Sequence, residues 1–328
     1  MNFEIIGIGS ALTDMTFNVT DSFLASENLP KGGMTLIEKD RLFELLDKFK
    51  NTKKQMSPGG ATANVITSYA HCTGKAAFIG KIGADNTGDF FKKETEKSGV
   101  KFIELKSDKL NSGIVLSFIT QDGQRTFATH LGASVDLSPK DLTAELLNQA
   151  PVVHVEAYLV FNRDVINHIF NLAKKNNQKI SMDLSSFTVV SQNLDFFRKI
   201  VENEVDILFA NEDECKAYTG LSPKDSIDIF RKSCPISVLK EGANGSYIST
   251  DKETVFFSAE KVNVIDTNGA GDAYAGGVLY GLCNNLGIHK AGLIGTKAGA
   301  LAVSQSGARL NNANVKKLKK YVKEIKNG

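Results

Sequence analysis

The stretch Asp266-Thr267-Asn268-Gly269-Ala270-Gly271-Asp272 lies between a strand-like apolar run, 262–265, and a run with helical apolar spacing, 273–282. This order predicts a glycine-rich turn that opens a helix. The first backbone N–H groups of a helix have no partner within it, and the helix dipole favours negative charge there. Because glycine has no side chain, Gly269 and Gly271 let the backbone approach an anion closely. The stretch therefore predicts a phosphate-binding turn.

Asp272 falls in the first turn of that predicted helix, beside the predicted phosphate site. Acidic residues are favoured in the first turn of any helix, so the carboxylate has a purely structural explanation. A carboxylate beside a phosphate also suits a base that accepts the proton of an attacking hydroxyl. With the rest of the chain considered, we favour the catalytic interpretation.

Two common phosphate-binding patterns fit the chain less well. The P-loop requires G-x-x-x-x-G-K-[ST], but Ala76 follows Gly74-Lys75 and Tyr69 stands where the first glycine belongs. The dinucleotide fingerprint requires a third glycine, but Leu12 stands in that place after Gly7-Ile8-Gly9. The phosphate site must therefore use another framework.

Short apolar runs alternate with helical spacing along most of the chain. Strands are predicted over 3–9, 76–82, 152–156, 180–184, 207–210 and 236–239, and helices over 60–73, 87–98, 162–176, 191–203 and 222–233. This alternation predicts an α/β fold, in which helices cover both faces of a parallel sheet.

Two stretches, 14–37 and 100–130, interrupt the alternation. Each contains short extended runs without a crossover helix, and the second reads as a hairpin that turns at Asp122-Gly123. They could form a small antiparallel sheet that acts as a lid, or two ordinary edge hairpins, and the residues alone leave both open. Because no linker or repeat divides the chain, we expect a single domain over 1–328.

Composition excludes several classes of protein. A net charge of +2, from 39 basic and 37 acidic residues, argues against nucleic acid or an anionic membrane as the main partner. The chain has no apolar run near the ~20 residues of a membrane helix and no signal-like N-terminus. Its four cysteines form no C-x-x-C pair. We expect a cytoplasmic protein with reduced thiols.

A second glycine pair carries a resemblance to a known family. Pro58-Gly59-Gly60-Ala61-Thr62-Ala63-Asn64 and the stretch 266–272 resemble the two signatures of the PfkB carbohydrate kinases, the ribokinase-like family. Further similar segments are 78–85, the N-x-x-E stretch 211–214 and the strand-turn 239–246. The resemblance implies a three-layer αβα sandwich with a mostly parallel central sheet and a small antiparallel β lid. It also implies an ATP-dependent kinase that phosphorylates a hydroxyl of a sugar or nucleoside.

The resemblance implies the roles of residues around the glycine turn. Asp272 would be the catalytic base, and the amides of Gly269, Ala270 and Gly271 would form an anion hole. Asp266 would contribute to a site for a potassium-like ion.

On the acceptor side, the resemblance implies that Asp14, on the loop after the first strand, binds substrate hydroxyls. Asn64 and the backbone of Gly59 and Gly60 would share that role. Ser10 stands where many members of the family have asparagine, which removes one expected substrate contact.

On the nucleotide side, the backbone at Gly242 and Gly245 would line the ATP site. Asn211 and Glu214 would organise Mg²⁺ through water, since this hard cation prefers oxygen ligands and keeps several waters. Asn211 would also contact ATP, as would Lys240, which stands where many members have threonine.

The substrate itself is less determined by the residues. Arg125 resembles a lid residue that reaches phosphate in some members of the family. Phe17, Phe23, Phe118 and Tyr158 could stack on a base or pack in the lid and core. We favour a ribose-bearing substrate such as adenosine or ribose over a fructose-type sugar.

Two other functions stay open at this point, a non-catalytic ligand sensor on the same fold and a nicotinamide-dependent oxidoreductase. The intact glycine turn with Asp272 disfavours the sensor, and the incomplete dinucleotide fingerprint disfavours the oxidoreductase. Relatives that dimerise through the lid sheet make a homodimer possible.

Overall fold

Two sheets organise the chain in the computed structural model, which describes residues 2–52 and 54–327. The strands are β1 (Ile5–Ile8), β2 (Leu12–Asn18), β3 (Met34–Leu36), β4 (Gln55–Pro58), β5 (Ala76–Gly83), β6 (Lys101–Ser107), β7 (Gly113–Ile119), β8 (Arg125–His130), β9 (Val152–Glu156), β10 (Lys179–Asp183), β11 (Ile207–Ala210), β12 (Ile236–Lys240), β13 (Gly245–Thr250) and β14 (Thr254–Ser258). The helices are α1 (Asp21–Ser26), α2 (Lys39–Lys48), α3 (Ala61–His71), α4 (Asn86–Lys97), α5 (Ala144–Leu147), α6 (Arg163–Lys175), α7 (Phe187–Gln192), α8 (Leu194–Asn203), α9 (Glu212–Thr219), α10 (Pro223–Ser233), α11 (Ala270–Cys283), α12 (Gly287–Val303) and α13 (Asn312–Asn327).

The larger sheet has the order β14-β13-β12-β11-β10-β9-β1-β5-β6. Its strands from β12 to β6 run parallel, and β13 and β14 add an antiparallel edge. Parallel strands are covered on both faces, which explains why a strand such as β11 is a continuous apolar run without alternation. The predicted mostly parallel sheet is confirmed.

Helices cover both faces of this sheet. Ile6 and Ile8 of β1 point into one core, which α6, α8, α9 and α10 complete. Ile5 points into the opposite core, against α3, α4, α11, α12 and α13. The alternation of one strand between two cores follows from the side-chain period of two. The result is the expected three-layer αβα arrangement.

The smaller sheet has the order β3-β8-β7-β2-β4. Antiparallel pairs join β2 to β4 and β7 to β8, while β2 with β7 and β3 with β8 are parallel. A separate apolar cluster around Phe17 and Phe118 supports this sheet.

The structure differs from the sequence predictions in several details. In the stretch 100–130, β6 pairs with β5 of the larger sheet, so this stretch enters the smaller sheet at residue 113 and not at 100. β4, which was not predicted, also belongs to the smaller sheet, since the residues just before Gly59 pair with β2. The helix predicted over 191–203 is two helices that meet at Asn193, whose backbone leaves the helical region.

The strand-like run 262–265 is not a strand. The amides of Ile265 and Asp266 donate to the carbonyl oxygen of Val303, the last residue of α12. The last carbonyl groups of a helix accept no hydrogen bond within that helix, so the Val303 carbonyl can accept from Ile265 and Asp266 instead. Val264 and Ile265 therefore stay exposed beside the helix end instead of entering a sheet.

Among the described residues, no helix combines the length and the apolar character that crossing a membrane requires.

Candidate active site

Polar side chains converge where the parallel strands of the larger sheet end. Glu156 ends β9, Asp183 ends β10, Asn211 follows β11 and Lys240 ends β12. Open α/β sheets bind their ligands at this carboxyl edge. The smaller sheet contributes Asp14 to the same place.

Two cavities open at this edge, with volumes of about 920 Å³ and about 590 Å³. The glycine-rich turn separates them, because Asn268 and Asp272 line the larger cavity whereas Ala270 and Gly271 line the smaller one. Asn211 lines both. Two cavities that share a wall are suited to passing a group from a ligand in one to a ligand in the other.

The predicted glycine turn is present, and α11 begins directly after it. Gly269 caps the helix with φ of +71°, a left-handed conformation that favours glycine. A Cβ at this position would also lie 2.6 Å from the carbonyl oxygen of Ala308. The amide of Ala270, predicted to contribute to an anion hole, donates to the carbonyl oxygen of Thr267 at 3.3 Å and is therefore engaged within the turn.

Asp272 lies in the first turn of α11 and faces the larger cavity. Its Oδ2 accepts a hydrogen bond of 3.1 Å from Nδ2 of Asn64. Burial raises the pKa of Asp272 to about 7, the Asp183 carboxylate adds to this, and the Asn64 hydrogen bond and Lys240 oppose it. A carboxyl group with such a pKa can accept a proton near neutral pH.

Asp14 lines the larger cavity together with Asp272. It belongs to β2, not to a loop after the first strand as predicted. Gly59 allows the close approach of Asp14, since a Cβ there would lie 2.2 Å from its Oδ1. Burial raises the pKa of Asp14 to about 7, against the positive charges of Arg309 and Arg125. The structure brings Asp14, Gly60 and Asn64 together as the resemblance implied.

Glu156, which the sequence analysis did not identify, holds the loop after β1 and the start of α3 together. Its Oε1 accepts from the amide of Ser10 and its Oε2 from the amide of Thr62, each at 2.9 Å. Ser10 therefore has a backbone role here. A polar residue at the end of a predicted strand, 152–156, is the signal that could have identified Glu156.

Asp183 and Lys240, of which Lys240 lines the smaller cavity, form an ion pair with 2.9 Å between Oδ2 and Nζ. Burial alone would lower the pKa of Lys240, but the carboxylates of Asp183 and Glu214 outweigh it and raise that pKa. The ammonium group lies beside Gly271, 3.5 Å from where a Cβ would be. Lys240 therefore places a permanent positive charge next to the glycine turn. Asp183, at the end of β10, was not predicted.

Asn211 and Glu214 form a capping box at the start of α9. The amide and the side-chain Nδ2 of Asn211 donate to Glu214 at 2.8 Å, and Asn211 Oδ1 accepts from the Glu214 amide at 2.9 Å. Burial and the Asp183 carboxylate raise the pKa of Glu214. Both residues reach the larger cavity. Within 2–52 and 54–327, no group of three or more His, Cys, Asp or Glu residues is arranged to hold a metal ion.

Gly242 and Gly245 line the smaller cavity together with Lys240, as the resemblance implied for the nucleotide side. Apolar and small residues complete its walls, among them Val262, Val264, Tyr274, Ala300 and Val303.

Asp266 and Arg125 connect the smaller sheet to the glycine-rich turn. The Nε of Arg125 in β8 donates to Asp266 Oδ1 at 3.1 Å, and Nη2 donates to Oδ2. The amides of Asn268 and Gly307 donate to the same carboxylate at 3.0 and 2.8 Å. Four donors therefore surround Asp266, and a potassium-like ion at this carboxylate, which stays a prediction, would compete with Arg125.

The aromatic residues expected to stack on a base separate into two groups. Phe17, Phe23 and Phe118 pack with Phe49 in the core of the smaller sheet, so the packing alternative is correct for them. Tyr158 lines the larger cavity. The other apolar side chains at this cavity were not predicted; they include Met34, Leu36, Phe127, Val135, Phe161 and Phe187.

Comparison with known proteins gives consistent results. The profile of the pfkB family carbohydrate kinases matches residues 33–314. The chain is 28% identical to aminoimidazole riboside kinase of Salmonella typhimurium over 76% of this chain and 83% of that protein. It is 23% identical to adenosine kinase of Saccharomyces cerevisiae, over 94% and 96%.

Solved structures resemble the chain over nearly its whole length. The adenosine kinase of Sinorhizobium meliloti superposes with a TM-score of 0.90 at 27% identity, over 98% of this chain and 100% of that one. A probable sugar kinase of Rhizobium etli has the same TM-score and identity, over 98% of both chains.

Proposed function

The chain belongs to the pfkB family of carbohydrate kinases and is a sugar or nucleoside kinase, and we propose that it transfers the γ-phosphate of ATP to a hydroxyl of a ribonucleoside. The observation that carries the choice of a nucleoside is the division of the larger cavity into a polar floor and an apolar mouth.

The polar floor suits the sugar of the acceptor. Asp14, Asn64 and Asp272 face the same cavity and offer carboxylate and amide groups to hydroxyls. Such groups bind hydroxyls well, but ribose, fructose and nucleosides all carry hydroxyls, so the floor does not distinguish among them.

The apolar mouth favours a base. Phe161 and Phe187 line the cavity and are 54% and 55% exposed, and Met34, Leu36 and Val135 beside them are also exposed. Covering apolar surface contributes roughly 25 cal/mol per Å², and aromatic rings stack well on flat ligands. A nucleobase offers a flat face to these side chains, whereas a free sugar offers mainly hydroxyls. The names of the relatives from Salmonella typhimurium and Sinorhizobium meliloti also point to nucleosides as acceptors.

Asp272 is the proposed base. It accepts the proton of the acceptor hydroxyl while that oxygen attacks the γ-phosphorus of ATP and the bond to the β-phosphate oxygen breaks. The products are ADP and the phosphorylated acceptor. Asn64 holds the Asp272 carboxylate from the acceptor side.

The smaller cavity is the proposed ATP site. Gly242 and Gly245 line it, and the Lys240 ammonium lies in it beside Gly271 of the glycine turn, where phosphates would lie. A hydrated Mg²⁺ would suit the border of the two cavities, because Asn211 lines both, Glu214 lines the larger one, and these residues carry the oxygen atoms that it prefers. When bound, Mg²⁺ neutralises phosphate charge.

The smaller sheet is the proposed lid of this single kinase domain. Residues 14–37 and 113–130 supply β3, β7, β8 and most of β2, and β3 contributes Met34 and Leu36 to the apolar mouth. Closure over the acceptor would exclude water, which otherwise competes for the phosphoryl group. A cytoplasmic location and a dimer through this sheet stay predictions.

A substrate panel tests the proposal. The protein is incubated with ATP and Mg²⁺ and with adenosine, inosine, ribose or fructose, and ADP formation is followed. We expect kcat/KM for the better nucleoside to exceed that for ribose and fructose by roughly 100-fold or more, since stacking adds binding that free sugars lack. A preference for ribose or fructose would refute the nucleoside assignment.

A further inference from the structure

We propose that Arg309 is a positioning residue, whose guanidinium sets the orientation of the Asn64 amide and, through it, of the Asp272 carboxylate. This inference rests on the proposed function, because it assigns Asp272 as the base. Arg309 lies in the loop between α12 and α13.

The chemistry of the donors fixes the direction of this chain of hydrogen bonds. Arg309 Nε donates to Asn64 Oδ1 at 3.0 Å, and Asn64 Nδ2 donates to Asp272 Oδ2 at 3.1 Å. A guanidinium has donors and no acceptor, so only the oxygen of the amide can face it. The nitrogen must then face Asp272. Without Arg309, the amide of Asn64 would be free to turn its oxygen towards the carboxylate.

Stabilising contacts explain Arg309 only in part, although its guanidinium lies 5.9 Å from the centre of the Phe91 ring. Its Nη1 donates to Thr95 Oγ1 at 3.2 Å, but its buried Nη2 has no hydrogen-bond partner within the described part of the chain. Burial lowers the pKa of Arg309 to about 10, against the attraction of Asp14 and Asp272. Placing a charged group with an unsatisfied nitrogen here costs free energy. A role in the site accounts for its presence.

The backbone around Arg309 is attached to the glycine turn. The amide of Gly307 donates to Asp266, and Ala308 packs against Gly269 so closely that a Cβ on Gly269 would clash with it. Gln305 Nε2 donates to the carbonyl oxygen of Arg309 at 2.8 Å. The segment 305–309 therefore holds both the turn and, through Arg309, the acceptor-side helix α3.

Several charged groups act on Asp272 electrostatically. They are Asp183 and Glu156, which raise its pKa, Lys240, which lowers it, and Glu214 and Arg309, which interact with it electrostatically. Loss of Arg309 removes a positive charge and weakens the Asn64 hydrogen bond. Both changes disfavour the ionised form of Asp272, so its pKa should rise.

The kinetic test compares Arg309→Met with Thr95→Val, which removes the acceptor of Nη1 but leaves the bond to Asn64. With adenosine and ATP, we expect Arg309→Met to lower kcat roughly tenfold, as for a lost hydrogen bond to a charged group, and to move the acid limb of kcat to higher pH. The kcat of Thr95→Val should stay within about twofold of the native value. Arg309→Lys should recover part of the loss, because it restores a donor and the charge. An equal fall of kcat in Thr95→Val, or an acid limb of kcat that does not move in Arg309→Met, would overturn the proposal.

A double-mutant comparison isolates the path through Asn64. If Arg309 acts through this amide, Arg309→Met should add less than about twofold to the loss of Asn64→Ala. A full tenfold further loss in that background would contradict the proposed path.

A measurement without turnover separates this inference from the proposed function. The side-chain NH₂ resonance of Asn64, assigned by its loss in Asn64→Ala, is followed by NMR over about pH 5 to 9. It should report Asp272 ionisation near pH 7 in the native protein and lose this response in Asp272→Asn. In Arg309→Met the titration should move to higher pH. An identical titration in Arg309→Met refutes the positioning role, whether or not any substrate is phosphorylated.

Discussion

The side-chain amide of Asn64 donates a 3.1 Å hydrogen bond to the carboxylate of Asp272, although 208 positions separate the two residues in the chain. The first stands in the opening turn of α3 and the second in the opening turn of α11. The contact joins the start of α3 to the start of α11, so the residue proposed to bind the hydroxyl and the proposed base form one unit.

Replacement of Asp272 by asparagine should lower kcat by about 10²–10⁴-fold, the usual contribution of a general base. The KM values for ATP and nucleoside should change little, because the side chain keeps its size. Steady-state kinetics with ATP and adenosine measures both. Turnover of Asp272→Asn within a few-fold of the native rate would show that another group accepts the proton.

The ionisation of Asp272 should also make the stability of the folded protein depend on pH. Its pKa in the folded protein is raised to about 7 from 3.8, so the folded state binds the proton more tightly than the unfolded state. The resulting stabilisation is present below pH 4 and is lost as the pH rises towards 7. Asp272→Asn avoids this loss and should raise Tm by about 2 °C at pH 8, with a smaller gain at pH 5.

Thermal unfolding in a pH series at constant ionic strength measures this effect. Asp251→Asn, a change at an exposed aspartate away from both cavities, is the matched control and should leave Tm unchanged at either pH. A gain for Asp272→Asn that is equal at pH 5 and pH 8 would contradict the raised pKa.

Phe187 should contribute to nucleoside binding and not to binding of free sugars. Phe187→Ala should raise KM for adenosine roughly tenfold, as expected for a lost stacking contact of about 1–1.5 kcal/mol, and should leave KM for ribose nearly unchanged. Phe43, also 55% exposed but outside both cavities, provides the control Phe43→Ala. A parallel rise in both KM values would argue against a base at the apolar mouth.

Lys240 should bind phosphate and, separately, neutralise Asp183. Lys240→Met should raise KM for ATP roughly tenfold through loss of a charge-assisted contact, and should lower Tm because Asp183 stays buried without its cation. The double variant Lys240→Met/Asp183→Asn should recover Tm but not the ATP affinity. Recovery of both would mean that Lys240 serves only Asp183.

Local patterns predicted the parallel sheet and the turn at 269–271 well, because each depends on residues close in the chain. Apolar runs at strand spacing define β9 and β11 at the predicted bounds. The strand-like interpretation of 262–265 was wrong, because the end of this run forms backbone hydrogen bonds with the end of α12, which is distant in sequence. Phe17 and Phe118 were ambiguous for the same reason, because an aromatic residue in a strand looks the same in a core and in a cavity.

The sequence by itself determined the family, the glycine turn and the identity of Asp272 as the candidate base, since these depend on residue types at short spacing. Only the tertiary structure decided which distant groups meet there. Arg309 carries no local signal, and its role follows from the loop that places it beside Asn64. The pKa values of Asp14 and Asp272 likewise arise from burial and from charges on other elements, which no short stretch of sequence contains.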